Sequence, residues 1–191
     1  MSLLGYHTEE TTEVYATVLE DPAFFRFLLR IDEEFAAETR RAGCPECTGP
    51  LHVADFPRKP RGCPAALLKE YSWRFSFTCG RCEQRATSES VRFLGRRVYV
   101  AVMLMLASPP RGQAVGQLCD RLSVPMRTLQ RWRRWWREDF LRTPFGQASR
   151  SRFMPPLESA QLPGSLLERI AAHSPTERLA QVLRFLSPLS R

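Results

Sequence analysis

Four cysteines constrain this chain more than any other feature. Cys44 and Cys47 form one C-x2-C pair, Cys79 and Cys82 form a second, and 31 residues separate the pairs. Two residues between cysteines allow a tight turn to present both sulfurs to one ion. Two such turns complete a tetrahedral four-sulfur Zn²⁺ site with bonds of about 2.3 Å. Pro45 stiffens the first turn, and Gly80 is expected to supply the backbone twist of the second. A thioredoxin-like redox pair is disfavoured, because no βαβ pattern surrounds the cysteines and there is one pair too many. Disulfides are disfavoured by an expected intracellular setting. Four sulfur ligands leave no open position, so the metal is expected to be structural rather than catalytic. His52 and Cys63 lie inside the loop without a spaced mate. Cys119 reads as a small core residue.

The sequence around the cysteines predicts short strands. Leu51 to Phe56 reads as a strand stopped by Pro57, which has no N–H for a ladder. Tyr71, Trp73, Phe75 and Phe77 alternate with Ser72, Arg74, Ser76 and Thr78, which predicts a strand with one aromatic face. Gln84 to Ser90 reads as another strand. Upstream, Asp21-Pro22 is a helix start, and Phe24, Phe27, Leu28, Ile31 and Phe35 recur at helical spacing. A helix over Pro22 to Arg41 is expected to end at Gly43. A shorter helix is expected over Thr11 to Leu19, after a frayed tail at residues 1–10.

Charge is unevenly placed. The chain of 191 residues has a formal net charge of +8. Residues 1–43 hold 9 acids and 4 bases, whereas residues 95–150 hold 3 acids and 11 bases. A surplus concentrated in one segment indicates a binding face for an anion. The longest apolar run, Val98 to Ala107, has ten residues. That is about half of a membrane span. No basic region followed by an apolar stretch opens the chain, so no signal peptide is expected.

The basic segment is helical by pattern. Arg96 to Ala107 reads as a buried helix and Ser108 to Gly112 as a break. Gln113 to Leu122 and Pro125 to Leu141 read as two helices with a tight joint. Gln117 to Trp132 then has a helix-turn-helix pattern. Leu118, Cys119 and Leu122 face inward, Ser123 stands where glycine is usual, and Val124 plugs the turn. Leu129, Trp132 and Trp136 form the inner stripe of the second helix, and Trp135 is expected to be more exposed. The outward residues are Met126, Arg127, Gln130, Arg131 and Arg134, with Arg133 and Arg137 nearer the sides. The N-terminal half of such a helix enters the major groove. There arginine can read guanine and glutamine can read adenine, while neighbouring arginines hold phosphates. Thr143 to Pro163 is expected to be mostly irregular, followed by short helices at Gly164 to Ala172 and Pro175 to Leu186.

Cys44-Pro-Glu-Cys47, Phe77-Thr-Cys79-Gly-Arg-Cys82, Ser90-Val-Arg-Phe-Leu-Gly-Arg-Arg-Val-Tyr99 and Gln117 to Trp132 together carry a resemblance. The region from about residue 44 to 140 resembles the N-terminal DNA-binding part of insertion-sequence transposases, which pairs a zinc ribbon with a helix-turn-helix. The resemblance implies recognition of element-end DNA. In that family a separate ribonuclease-H-like domain cuts DNA with three acidic residues and Mg²⁺. After Leu141 only Glu158, Glu168 and Glu177 remain as acids, without a strand pattern, so cleavage is not carried over.

The expectation is therefore an α+β protein, mainly α, in four parts. Residues 1–43 form an acidic helical segment and residues 44–94 a zinc ribbon. Residues 95–142 form a trihelical helix-turn-helix domain, and residues 143–191 a Pro-rich loop with short helices. The expected function is duplex DNA binding, without a catalytic role, in transposition or transcription regulation. The alternative is an adaptor whose ribbon docks a protein partner. Expected partners are double-stranded DNA and either a transposase or a second copy of the chain. The expected location is the cytoplasm, at the nucleoid if the source is bacterial.

Overall fold

The structure is a computed structural model that describes residues 15, 17–59, 62–94, 116–117, 119–120, 123–150, 152–154, 156–157 and 159–191. The fold is mixed α+β and mainly helical. The helix expected over Arg96 to Ala107 lies outside the described residues, as do the tail at 1–10 and the helical positions Leu118 and Leu122.

Helix α1 spans Pro22–Ala42 and shows how local chemistry sets its ends. The Asp21 carboxylate accepts from the Ala23 N–H at 2.8 Å, and Pro22 occupies the first turn, where no donor is needed. Gly43 closes the helix at φ 78°. Phe24, Phe25, Leu28 and Ile31 are buried, whereas Phe27 is exposed. The expected stripe therefore differs at one place: Phe25 takes the inward position given to Phe27.

Five short strands follow. A three-stranded antiparallel sheet has the order β1 (Leu51–Val53), β4 (Ser76–Cys79), β5 (Arg85–Thr87). Its register pairs Leu51 with Cys79 and Phe77 with Ala86. A two-stranded sheet pairs β2 (Phe56–Pro57) with β3 (Trp73–Arg74). The strand expected from Leu51 to Phe56 is thus split. Its chain bends at Ala54-Asp55, where the Asp55 carboxylate accepts from the Ser76 N–H at 2.9 Å. Pro57 does not stop the strand but sits in the short second pairing, opposite Trp73.

The aromatic face is also broken. Tyr71 ends a helical turn, α2 (Leu68–Tyr71), rather than starting a strand. Trp73 is exposed and Arg74 is buried, because the chain changes sheets between Arg74 and Ser76 and the alternation slips at Phe75. The last strand is shorter than expected, Arg85–Thr87.

Residues 116, 117, 119 and 120 are helical, and their helix ends in a Schellman motif. The Val124 N–H reaches the Cys119 carbonyl at 2.8 Å and the Ser123 N–H reaches the Asp120 carbonyl at 3.1 Å. Ser123 sits between them at φ 52°, in the left-handed region. Val124 and Cys119, at the two positions where such a motif places apolar side chains, are both buried in the core. A side chain here is strained by about 1 kcal/mol relative to glycine. Ser123→Gly should therefore raise stability by up to about 1 kcal/mol in urea unfolding. A loss of stability would show that the hydroxyl, not the backbone, decides this position.

Helix α3 (Met126–Arg134) follows the turn and runs into a π-helical stretch, Trp135–Asp139, then a 3-10 turn, Phe140–Arg142. The wide stretch explains one correction. Spacing predicts a more exposed Trp135, yet both Trp135 and Trp136 are buried. Their rings meet edge to face at 4.9 Å, and Phe140 lies 4.9 Å from Trp136. An extra residue in the turn changes the angle between successive side chains and lets two neighbours face the core.

Helix α4 (Pro144–Arg150) lies where irregular chain was expected. Thr143 Oγ1 caps it by accepting from the Gly146 N–H at 2.9 Å. Helices α5 (Gly164–Arg169) and α6 (Pro175–Leu186) follow, and a 3-10 turn, Ser187–Ser190, closes the described chain. Ser174 caps α6 through the Glu177 N–H, and Glu177 reaches back to the His173 N–H at 3.0 Å.

One apolar core joins these helices. It contains Leu19, Phe24 and Leu28 from the N-terminal part, and Tyr71, Val91 and Phe93 from the middle. Leu129, Trp132, Trp136, Leu166, Leu179 and Leu183 complete it. A second, smaller cluster of Cys44, Leu51, Phe77, Cys79 and Ala86 lies under the three-stranded sheet, with Ala36 of α1 packed against it.

Candidate metal centre and candidate nucleic-acid interface

The two cysteine turns are built alike. The Cys44 N–H donates to the Gly49 carbonyl at 3.0 Å, and the Cys79 N–H donates to the Gln84 carbonyl at 2.9 Å. The Thr48 N–H donates to the Cys44 carbonyl at 2.8 Å, and the Glu83 N–H to the Cys79 carbonyl at 3.1 Å. Thr48 and Glu83 both take left-handed backbone, at φ 56° and 59°. The backbone twist thus falls after the second cysteine of each pair, not at Gly80 as expected. Gly80 has a different reason: a Cβ there would come within 2.6 Å of His52 Nε2.

All four sulfurs converge, the one such cluster among the described residues. Cys44 and Cys82 sulfurs are 3.6 Å apart, Cys47 and Cys79 are 3.5 Å apart, and Cys47 and Cys82 are 3.4 Å apart. A disulfide would need about 2.05 Å. A tetrahedron of 2.3 Å metal–sulfur bonds has edges of about 3.8 Å, close to what is seen. Each of these three contacts links one turn to the other, so an ion between them would tie β1 to β4 and β5. Gly49 keeps the space open, since a Cβ on it would lie 3.0 Å from the Cys79 sulfur and 3.2 Å from that of Cys47.

Electrostatics agree with a cation site. N–H groups of Cys82 and Arg81 bring the Cys79 thiol down to about 6. The Gln84 N–H favours the Cys82 thiolate, yet the neighbouring sulfur of Cys47 and burial push that thiol up to about 12. Zinc takes cysteine as the thiolate, so binding of a divalent ion at such a cluster releases protons. His52 and Cys63 take no part in the cluster. Cys63 bonds to the Pro64 carbonyl, and burial pushes its thiol up to about 12.

The arginine-rich helix is strongly two-sided. Thr128, Leu129 and Trp132 of α3 are buried, and Trp136 continues that side into the core. Met126, Arg127, Gln130, Arg131, Arg134 and Arg137 are exposed, with Arg133 half-buried. The Arg137 guanidinium folds back to the Arg133 carbonyl at 3.3 Å. The outward set expected from spacing is the set at the surface.

A second basic feature was not foreseen. On the sheet unit, Arg58 and Arg85 stack on the ring of Phe56, with guanidinium carbons 4.5 and 5.3 Å from its centroid. His52, Thr78 and Arg85 occupy one transverse row of the three-stranded sheet and share its outer face. The period-two register from the cysteines would have placed them there.

No family model, curated protein or solved structure matches the chain. No helix among the described residues is long and apolar enough to cross a membrane.

Proposed function

We propose that the chain is a duplex DNA-binding protein whose helix α3 enters the major groove, held on a body that includes a zinc ribbon. The observation that carries this reading is the outer face of α3 and its continuation. Arg127, Gln130, Arg131, Arg134 and Arg137 are exposed there, while the opposite face is locked into the core. A helix already fixed in this way loses little further freedom when its side chains meet base edges. Arg127, Arg131 and Arg134 supply bidentate donors for guanine, Gln130 a donor and an acceptor for adenine, and Arg133 and Arg137 supply phosphate contacts.

Zn²⁺ is the ion that four sulfurs in a tetrahedron suit best, and with no open position its role is structural. Arg58 and Arg85 on the ribbon give a further basic contact along the duplex. The reading keeps the kinship to the DNA-binding part of insertion-sequence transposases, on the residues that carry it, and assigns no catalytic step.

Selection from a random duplex library followed by Arg131→Ala tests the base-reading role. Loss of about 1–3 kcal/mol on the selected site, with non-specific binding little changed, is the expected result. An equal loss on every sequence would make Arg131 a phosphate contact. No duplex binding tighter than about 10⁻⁴ M at low salt would overturn the proposal itself.

A further inference from the structure

The two-stranded sheet β2–β3, next in the chain to the cysteine-bearing sheet, is tied to the helical body by buried charge. Arg92 and Asp32 are both fully buried, and Arg92 Nε donates to the Asp32 carboxylate at 2.7 Å. The same carboxylate accepts from the Val91 N–H at 2.7 Å and from the Ser90 hydroxyl. Arg92 then reaches across to the sheet unit, donating to the Trp73 carbonyl at 3.1 Å. Its guanidinium carbon lies about 5 Å from the rings of Tyr71, Phe75 and Phe93.

A second buried guanidinium works from the other side. Arg74 of β3 donates to the Ser88, Glu89 and Ser190 carbonyls. Ser190 Oγ also accepts from the Ser90 N–H at 2.8 Å. Tyr71 completes the junction by donating to the Phe25 carbonyl at 3.0 Å. These groups have left water, so each is stable only while its partners stay in place.

We infer that metal occupancy at Cys44, Cys47, Cys79 and Cys82 controls the order of the helical body, including the exposed face of α3. The ion ties β1 to β4 and β5. Without it, the short sheets lose their main constraint, and β3 carries both Arg74 and the Trp73 carbonyl. Its loosening strips partners from Arg92 and so from Asp32 in α1. Phe93, beside Arg92, shares one apolar core with Leu129 and Trp132, so α3 loses support in turn. A chain built this way is switched by metal supply, and its consequence for DNA rests on the function proposed above.

The test uses the full chain carrying Trp73→Phe, so that tryptophan fluorescence reports only on Trp132, Trp135 and Trp136. The metal is removed with a chelator and restored with zinc alone. The expected result is a lower melting temperature for the tryptophan signal without metal, regained with zinc, and amide exchange in residues 127–136 faster by about tenfold or more. An unchanged tryptophan melt with unchanged exchange would overturn the inference. Asp32→Asn, with the buried tie weakened, should reduce the shift that chelation causes. If that variant does not fold, the wild-type exchange measurement still decides. Failure of the DNA reading is separate: both signals would respond to metal while no duplex bound at any metal level.

Discussion

Cys79→Ser should abolish metal retention and unfold the cysteine-bearing sheets. The N–H groups of Cys82 and Arg81 lower the Cys79 thiol, and Cys79 ends strand β4 while opening the second turn. A serine hydroxyl does not ionise near neutral pH and is a poor zinc ligand, so three sulfurs remain for an ion that needs four donors. Structural sites of this kind contribute roughly 10–16 kcal/mol of apparent binding energy in small domains at neutral pH. The sheets here have strands of two to four residues and a core of only a few side chains. They have little apolar burial to replace such a contribution. Metal analysis of the purified variant checks the first part, and amide exchange across residues 51–87 checks the second. One ion per chain retained at wild-type affinity would show that the ligand assignment is wrong.

Asp32→Ala should be the most damaging substitution away from the cysteine cluster. The carboxylate is fully buried and holds Ser90, Val91 and Arg92 at once. Removing it leaves the Arg92 guanidinium inside the protein with no carboxylate beside it. Breaking a buried pair from one side costs about 3–5 kcal/mol. In a chain of this length that is a fall in melting temperature on the order of 10 °C. The double substitution Asp32→Leu with Arg92→Met removes the orphaned charge and should recover much of the loss. Urea unfolding of the three chains measures both effects. A cost below about 1 kcal/mol for Asp32→Ala would mean that water reaches Arg92 and the tie is weak.

What could be read in the residues follows from how local the cause is. Asp21-Pro22 and Gly43 bound α1 by chemistry within a few positions, and the helix was legible to within one residue. Ser174-Pro175 with Glu177 likewise set α6. Thr143-Pro144 carries the same start signal, and α4 went unread only because the nearby prolines suggested irregular chain. The convergence of the four cysteines was legible because the turn between paired cysteines is itself local. The exposed set on α3 was legible because helical spacing fixes which side faces outward.

Non-local causes were not legible. Arg74 and Arg92 look like solvent-facing positions by pattern, and their burial depends on Asp32, about sixty positions from Arg92 in the chain, and on Ser190, further still. The buried place of Trp135 depends on a π-helical stretch that spacing rules for an ordinary helix do not anticipate. The split of the first strand depends on Asp55 meeting the Ser76 N–H from another strand. The stacked pair Arg58 and Arg85 needed the sheet register before it could be seen.

Duplex DNA binding by α3 is tested most directly by equilibrium affinity across a salt series, with the wild-type chain set beside Arg131→Ala/Arg133→Ala/Arg137→Ala. With about five phosphates neutralised, log affinity should fall against log salt with a slope near −4 to −5. The triple variant should bind more weakly, and its slope should be shallower by about one unit for each phosphate no longer neutralised. An affinity that does not change with salt, or a triple variant with the wild-type affinity and slope, would contradict the placement of DNA on this helix.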